Sequence, residues 1–484
     1  MKPPSAADAA SAQNQQAPYK KRRHRRRRIA QSSLSCISIP CRIVYYEAMW
    51  ALHQASSRLS TLIGIPDPLA RPVSSSTRVW LFHNTAFQDP HARPRASSST
   101  TTSSSSRSRS SRHNRYKSSS SSSTREPDAD LPWTAEFVVA FSKHEADTRR
   151  LADTVAEIAH LLHIDSHSTC VDGDEETVHD RIARRVQPFL TRIAVGRTLE
   201  LAFDVDPQQP RSKGATRFTL GPSKSNGISA DEYALDGGAR ARTRVFADRD
   251  VSVSRALHVE EDGAITRMRT SFAGRRGWTV ISDIDDTIKI TLTRDRLGLL
   301  KSTFVDAPRT TEGLPEFYKL MDRALKPAWF YLSASPYELY PFLTHFLNKH
   351  YPEGTLILRD MSWQDLSSFV YSLTEGTQEY KQDRIAKVQA RMPDRSYICL
   401  GDSTQTDPEA YGEMYRRRPG VIRRIYIRVV RGVDEHREQR LNSPARFAKA
   451  FRGVPEEVWS LYLDDEGPMQ FAGDVARMAK DGYD

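Results

Sequence analysis

The sequence predicts an α/β protein: a three-layer parallel-sheet domain, preceded by a small β-sandwich-like domain and a disordered basic arm. Three observations carry this expectation. Short apolar runs at 278–282, 329–332 and 397–400 each end in acidic or hydroxyl residues, as buried parallel strands do when their carboxyl ends face one crevice. Residues 196–274 instead alternate short β-type runs with turn clusters. Residues 97–124 are almost wholly Ser and Thr with scattered Arg, too polar to offset the entropy of ordering.

Charge divides the chain in the same way. Residues 1–120 hold 20 Lys/Arg against 4 Asp/Glu, whereas residues 121–484 hold 51 against 56. The sequence pI of 9.4 therefore belongs to the arm, which is suited to phosphate-bearing partners such as anionic lipid or nucleic acid and says nothing of the chemistry further on. Its densest run, KKRRHRRRR at 20–28, fits a nuclear signal, a polybasic lipid contact, part of a mitochondrial presequence, or a merely solvated stretch. Four cysteines, Cys36, Cys41, Cys170 and Cys399, are too few and scattered for a disulfide framework or a zinc site, which favours a reducing compartment. The most apolar stretch, 34–50, is broken by Pro40, Arg42 and Glu47, so any membrane contact is expected to be peripheral.

Order is expected to begin near Pro132. Phe137, Val138, Phe141, Leu151, Val155, Ile158 and Leu162 recur at mostly helical intervals, which predicts a helical lead-in over 130–195 after a disordered arm over 1–129. The small β domain is assigned to 196–274, with turns at 221–226 and 236–238 and no visible catalytic constellation. A catalytic domain over 275–435 and a C-terminal helical extension over 436–484 complete the division.

The chemistry concentrates between 278 and 408. The run WTVIS at 278–282 delivers Asp283-Ile284-Asp285-Asp286-Thr287, and three carboxylates in one turn are unfavourable unless a proton or a cation relieves them. A hard, oxygen-ligated metal such as Mg2+ fits; an ordinary acidic turn is the bland alternative. The run WFYL at 329–332 ends in Ser333, a hydroxyl placed to bind a phosphate oxygen or simply to turn the chain. The run YICL at 397–400 leads into Gly401, Asp402 and, five residues on, Asp407, with Gly401 read as a tight turn that aims Asp402 into the shared crevice. On the helical segment 380–390, Lys381, Ile385 and Val388 share a face while Lys387 points away, so Lys381 is the lysine that reaches inward.

A DxDxT motif, a strand-ending Ser, a helix-borne Lys and a GDxxxxD strand end together resemble the haloacid dehalogenase superfamily of phosphotransferases. ISDIDDTIKIT, YLSASPYELYPFL and GDSTQTDPEAY look like the phosphatidate phosphatases associated with fungal actin patches, strongly over 275–432 and weakly in the preceding β domain. Ser403-Thr404-Gln405-Thr406 departs from the Gly and acidic residue that the family favours there. The resemblance implies a haloacid-dehalogenase-like fold and an enzyme converting phosphatidate to diacylglycerol. Asp283 would be the nucleophile that forms an aspartyl-phosphate and Asp285 the acid, then base. Thr287, Ser333 and Lys381 would hold phosphoryl oxygens. Mg2+ would be bound by Asp283, the Asp285 carbonyl and Asp402, with Asp407 in support. It further implies partners at lipid interfaces, cytoskeletal or endocytic proteins, and no nucleic acid. The expected location is cytoplasmic and membrane-peripheral, with the mitochondrion as alternative.

Segments 288–312 and 346–379 are too short for a full cap domain, so the site is expected to be open and to suit a headgroup at a membrane surface or a macromolecular phosphate. Leu292, Leu297, Leu299, Leu300 and Phe304 in the first segment are candidates for acyl-chain contact or for a buried helical turn. Two other readings stay open: a phosphoprotein phosphatase of the DxDxT type, and a scaffold that uses the arm and the β domain.

Overall fold

The computed structural model describes residues 70–88, 132–165, 176–203, 216–235, 244–246, 249–260, 263–359 and 377–482. The basic run at 20–28, the Ser-rich stretch and Cys36, Cys41 and Cys170 lie outside them. All described residues fall in one compact unit, and among them no helix is long and apolar enough to cross a membrane.

The first half is a β network. Its elements are β1 (Arg71–Pro72), β2 (Thr77–Leu81), β3 (Asn84–Gln88), β4 (Trp133–Ala146), α1 (Thr148–Leu161), α2 (Val178–Leu190), β5 (Thr191–Ile193), β6 (Arg197–Phe203), β7 (Thr216–Leu220), β8 (Ile228–Leu235), β9 (Arg244–Phe246), β10 (Arg249–Ala256) and β11 (Arg267–Ala273). The strands form a single hydrogen-bonded set with path β1-β6-β10-β11-β3-β4-β2. It is antiparallel except where β1 meets β6 and β3 meets β11.

This corrects the expected boundaries in two places. Residues 71–88, assigned to the disordered arm, are strands; Val79, Leu81 and Ala86 lie fully buried in the interior of the β network. Residues 133–146, assigned to a helical lead-in, form a strand of 14 residues. Trp133, Ala135, Phe137, Val139 and Phe141 are buried at every second position, so the true period is two. Phe137, Val138 and Phe141 mimic a helical spacing only because Val138 is apolar on the opposite face. The helical pattern does hold from Leu151, within α1.

The second half is built on six parallel strands. Its elements are β12 (Trp278–Asp283), α3 (Arg296–Leu300), a π-helical turn (Lys301–Val305), α4 (Leu314–Leu325), β13 (Ala328–Pro336), α5 (Tyr340–His350), β14 (Thr355–Arg359), α6 (Thr377–Arg391), β15 (Ser396–Asp402), α7 (Asp407–Arg417), β16 (Ile422–Arg428), α8 (Glu435–Leu441), α9 (Pro444–Ala450), β17 (Trp459–Tyr462) and α10 (Ala472–Asp481). Strand order is β14-β13-β12-β15-β16-β17, parallel throughout. Alternate residues of each strand enter different cores. Val280, Tyr331, Ile398 and Tyr426 meet apolar residues of α4, α5 and α10 on one face, while Ile281, Phe330, Cys399 and Ile425 meet those of α6, α7 and α9 on the other. Helices on both faces explain why these strands read as continuous apolar runs. The C-terminal extension is not wholly helical, because β17 joins the sheet edge beside β16. Leu299, Leu300 and Phe304 are core residues, whereas Leu297 is half exposed.

Charge ties the two halves together. Glu136 of β4 pairs with Lys387 and, at 2.9 Å, with Arg391 of α6; Arg391 also reaches Glu232 of β8 at 2.6 Å. Burial pushes the Glu136 carboxyl up, but the Arg391 hydrogen bond and both cations outweigh it and hold it at about 2. A carboxyl depressed on folding stabilises the fold above its unfolded pKa and stops doing so as pH falls towards the folded value. Glu136→Gln should therefore cost about 1.5–3 kcal/mol near pH 7, seen as a lowered Tm, with the gap to the wild type narrowing as pH drops below about 4.5. A gap independent of pH would contradict the charge pairing.

Candidate active site

The carboxyl ends of β12, β13 and β15 converge because these strands are adjacent and parallel, so Asp283, Ser333 and Asp402 open on one crevice. All seven residues singled out in the sequence, Asp283, Asp285, Thr287, Ser333, Lys381, Asp402 and Asp407, are buried there. Lys381 Nζ lies 2.6 Å from Asp283 Oδ1 and also contacts Asp407 Oδ1. Lys387, six residues on, faces Glu136 instead. Thr287 Oγ1 sits 3.1 Å from Asp283 Oδ2 and 3.3 Å from Asp402 Oδ2, its one proton shared between two carboxylates.

Asp285 is held from two sides. Oδ1 accepts from Thr291 Oγ1 at 2.9 Å, and Oδ2 accepts from Ser333 Oγ at 2.6 Å and Ser335 Oγ at 3.4 Å. Lys289 Nζ donates to Thr291 Oγ1 at 3.0 Å, so a buried ammonium stands one hydroxyl away from Asp285. Ser333 thus positions the second carboxylate, a role its place at a strand end did not reveal.

Asp286 does different work. Its Oδ1 accepts from the amides of Thr291 and Leu292, and its Oδ2 from the amide and hydroxyl of Thr293. It fastens the loop after β12 while its own backbone takes φ 61°. The third acidic residue of the motif is a structural staple.

Gly401 requires a correction of cause. It lies within β15, and what it supplies is space: a Cβ there would stand 2.6 Å from Asp407 Cβ and 2.7 Å from Asp407 Oδ2. Asp407, in the first turn of α7, can then accept the Asp402 amide at 3.1 Å and reach Lys381. Thr404 donates its amide and hydroxyl to Asp402 Oδ1, so the loop at 403–406 still orients that carboxylate.

Three residues beyond the predicted set brace these loops. Arg428 Nη1 donates to the Asp286 carbonyl while its guanidinium pairs in a fork with Asp464 at 2.6 and 2.7 Å. Arg446 of α9 donates to the carbonyls of Ser403 and Gln405 at 2.6 and 2.5 Å. Arg294 donates to the Thr404 carbonyl. Asp464 and Arg446 come from the C-terminal extension. No local motif marks them, since Asp464 pairs with Arg428 of β16 and Arg446 reaches the Ser403 carbonyl, each more than 35 residues away in sequence.

Asp283, Asp402 and Asp407 offer oxygens that all lie within 4.8 Å of one another, every one buried. Burial, followed by the charge of Asp407, pushes the Asp402 carboxyl up to about 7 and raises Asp283 well above the carboxylate range. Burial disfavours the Lys381 ammonium, but Asp283 and Asp407 outweigh it and raise its pKa. Three carboxylates against this single lysine leave negative charge in excess, and an all-oxygen donor set fits a hard divalent cation.

Residues 278–429 match the model of a family described as "Phosphatidate phosphatase APP1, catalytic domain". The chain is 30% identical over 173 residues to the phosphatidate phosphatase APP1 of Saccharomyces cerevisiae, covering 34% of this chain and 29% of that protein. It is 28% identical over 159 residues to an uncharacterized protein of Schizosaccharomyces pombe, covering 32% and 26%. The matched region thus spans less than a third of the length of either relative.

Gly401→Ala should be poorly tolerated, because the added methyl meets a buried carboxylate on a helix that cannot retreat without moving Lys381. A loss of about 1–3 kcal/mol is expected from such overpacking, measured by denaturant unfolding. Wild-type stability in this variant would show that α7 shifts freely.

Proposed function

From a segment, residues 278–429, that belongs to the APP1 phosphatidate phosphatase catalytic-domain family, we propose that this protein is an Mg2+-dependent phosphatidate phosphatase of haloacid-dehalogenase-like type, releasing phosphate and diacylglycerol. The observation that carries the reading is the pairing of two unlike carboxylates at the end of β12. Asp283 lies among acids and Lys381, whereas Asp285 is enclosed by hydroxyls beside Lys289.

In the first step an Asp283 carboxylate oxygen forms a bond to phosphorus as the bond from phosphorus to the glycerol oxygen breaks. Asp285, protonated, passes its proton to the leaving oxygen. In the second step Asp285 takes a proton from water, whose oxygen bonds to phosphorus while the acyl-phosphate bond breaks, restoring Asp283 and freeing phosphate. Ser333, Ser335 and Thr291 keep Asp285 aimed at the leaving group. Lys381 balances charge on Asp283 and Asp407, and with Thr287 it is placed to meet phosphoryl oxygens, whereas the one Ser333 proton is given to Asp285. Asp283, Asp402 and Asp407, with the Asp285 carbonyl, would hold Mg2+, which when bound supplies positive charge against those oxygens.

The decisive assay is release of phosphate from phosphatidate in detergent micelles with Mg2+. Asp283→Asn and Asp285→Asn should each lower turnover about 10²–10⁴-fold in protein of unchanged fold. A folded Asp283→Asn protein that keeps a tenth of the rate would exclude the covalent route. Short-chain phosphatidate should react much more slowly below its micelle concentration than above it if segments 288–312 and 346–379, of which 360–376 lie outside the described residues, are too short to enclose a small substrate; faster turnover of phosphoserine peptides would favour a protein phosphatase.

The metal has a readout apart from activity. Carboxyls raised on folding contribute stability that is full below their unfolded pKa and is lost as pH rises through the folded value, for Asp402 from about 4 to about 7. Metal-free protein should weaken across that window, and Mg2+ should raise Tm more at pH 8 than at pH 5.5, where protons already neutralise the site. An equal rise at both pH values would place the ion elsewhere.

A further inference from the structure

Lys289 is a buried cation to which the two-step mechanism gives no role. It is 1% exposed. Its Nζ has one hydrogen-bond acceptor among the described residues, Thr291 Oγ1 at 3.0 Å, and lies 5.6 Å from the centre of the Phe342 ring. Burial works against the ammonium and lowers its pKa, while the charges of Asp285 and Asp286 favour it. A cation held out of water at such a cost calls for a reason, and the Thr291 hydroxyl supplies one.

Hydrogen bonds have a direction, and around Asp285 two directions are set by groups that can only donate. An ammonium has no lone pair, so Lys289 Nζ donates to Thr291 Oγ1 and leaves the Thr291 proton for another acceptor. Two are within reach: Asp285 Oδ1 at 2.9 Å and the Lys289 carbonyl at 3.2 Å. A hydroxyl that already accepts from a cation is a stronger donor and a weaker acceptor of a second proton, and the carboxylate is the nearer partner. On the other side the Ser335 amide donates to Ser333 Oγ at 3.0 Å, which sends the Ser333 proton to Asp285 Oδ2 at 2.6 Å. Ser335 Oγ, at 3.4 Å, is the third and longest contact. The Thr291 backbone is pinned, because its amide donates to Asp286 Oδ1 at 3.0 Å. What remains free to turn at Thr291 is the hydroxyl, and Lys289 decides which way it points.

We propose that Lys289 is a positioning residue for the proton that Asp285 delivers: by donating to Thr291 Oγ1 it commits the Thr291 hydroxyl to donate to Asp285 Oδ1, so that the Asp285 proton is not drawn into the protein and stays available to the leaving oxygen. In the first step that proton passes from Asp285, which keeps the electron pair of the broken O–H bond, to the glycerol oxygen, which keeps the pair of its breaking bond to phosphorus. Without the ammonium the Thr291 hydroxyl can turn to the carbonyl of residue 289 and accept from Asp285, which holds the acid's proton back. The inference rests on the phosphatase reading for what Asp285 does in the reaction, whereas the direction of the hydroxyls follows from the donors alone.

The test uses the full chain with Mg2+ and two substrates that differ in their need for a proton. Lys289→Met, which keeps the shape of the side chain, should lower kcat on phosphatidate micelles by about 10–100-fold, part of what a general acid contributes, with KM little changed. On p-nitrophenyl phosphate, whose aryl oxide leaves unprotonated, the loss should be far smaller. In a Thr291→Val background, where no hydroxyl can reverse, Lys289→Met should cost nothing further. Equal losses on the two substrates, or losses that multiply across the two substitutions, would overturn the proposal. Stability supplies a readout without turnover: Lys289→Met leaves the Asp285 charge buried among hydroxyls alone, so it should lower Tm more in the wild type than in Asp285→Asn. Equal lowering in both would overturn the link to Asp285. Failure of the wild type to release phosphate from phosphatidate overturns the phosphatase reading instead, so the two can fail apart.

Discussion

Buried negative charge is the constraint around which the parallel-sheet half of this protein is arranged. Asp283, Asp402 and Asp407 are all wholly enclosed, and taking carboxylates out of water is costly unless the charge is answered within hydrogen-bonding distance. Lys381 answers it first, between Asp283 and Asp407. Much of the surrounding structure follows from keeping that ammonium in place. The helix that carries it, α6, is anchored from its far face by Glu136 and Glu232 of the β network, while its apolar residues Ile385 and Val388 pack beneath the sheet. Its partner Asp407 can approach only because Gly401 has no side chain.

The β network therefore has a physical bearing on the site without contributing a reactive group. Its strand β4 grips α6 with a carboxylate held ionised at about 2, and β3 meets the sheet edge through Thr85 and Thr355 at 2.7 Å. The C-terminal extension has a similar bearing from the opposite side. Arg446 and the Arg428–Asp464 fork fasten the two loops that carry the acids. Aimed carboxylates need such bracing contacts, because loops alone hold them too loosely.

The two carboxylates of the DxD motif end in unlike surroundings although only one residue separates them. Side chains at i and i+2 leave the strand end in different directions once the chain turns. Asp283 enters the acidic cluster, whereas Asp285 meets hydroxyls from the loop at 291 and from the end of β13. Asp286, between them and the threonines, is spent on the loop itself. The proposed division into nucleophile and proton carrier requires such a separation of the environments of paired acids.

By itself the sequence determined the local features whose cause is local. Apolar runs ending in acids or a hydroxyl marked β12, β13 and β15, and helical phase separated Lys381 from Lys387, because strand burial and helix periodicity are written in adjacent residues. Tertiary structure decided what depends on distant partners. Residues 71–88 carry the apolar run Val79–Phe82 beside a Ser-rich stretch, and they hold strands because β4, β6 and β11, remote in sequence, supply their hydrogen bonds. Residues 133–146 carry apolar groups on both faces, so their period could be settled only by which face found a core. Arg428, Arg446 and Asp464 bear no motif, and their roles arise only when a backbone carbonyl or a charged partner remote in sequence is folded against them.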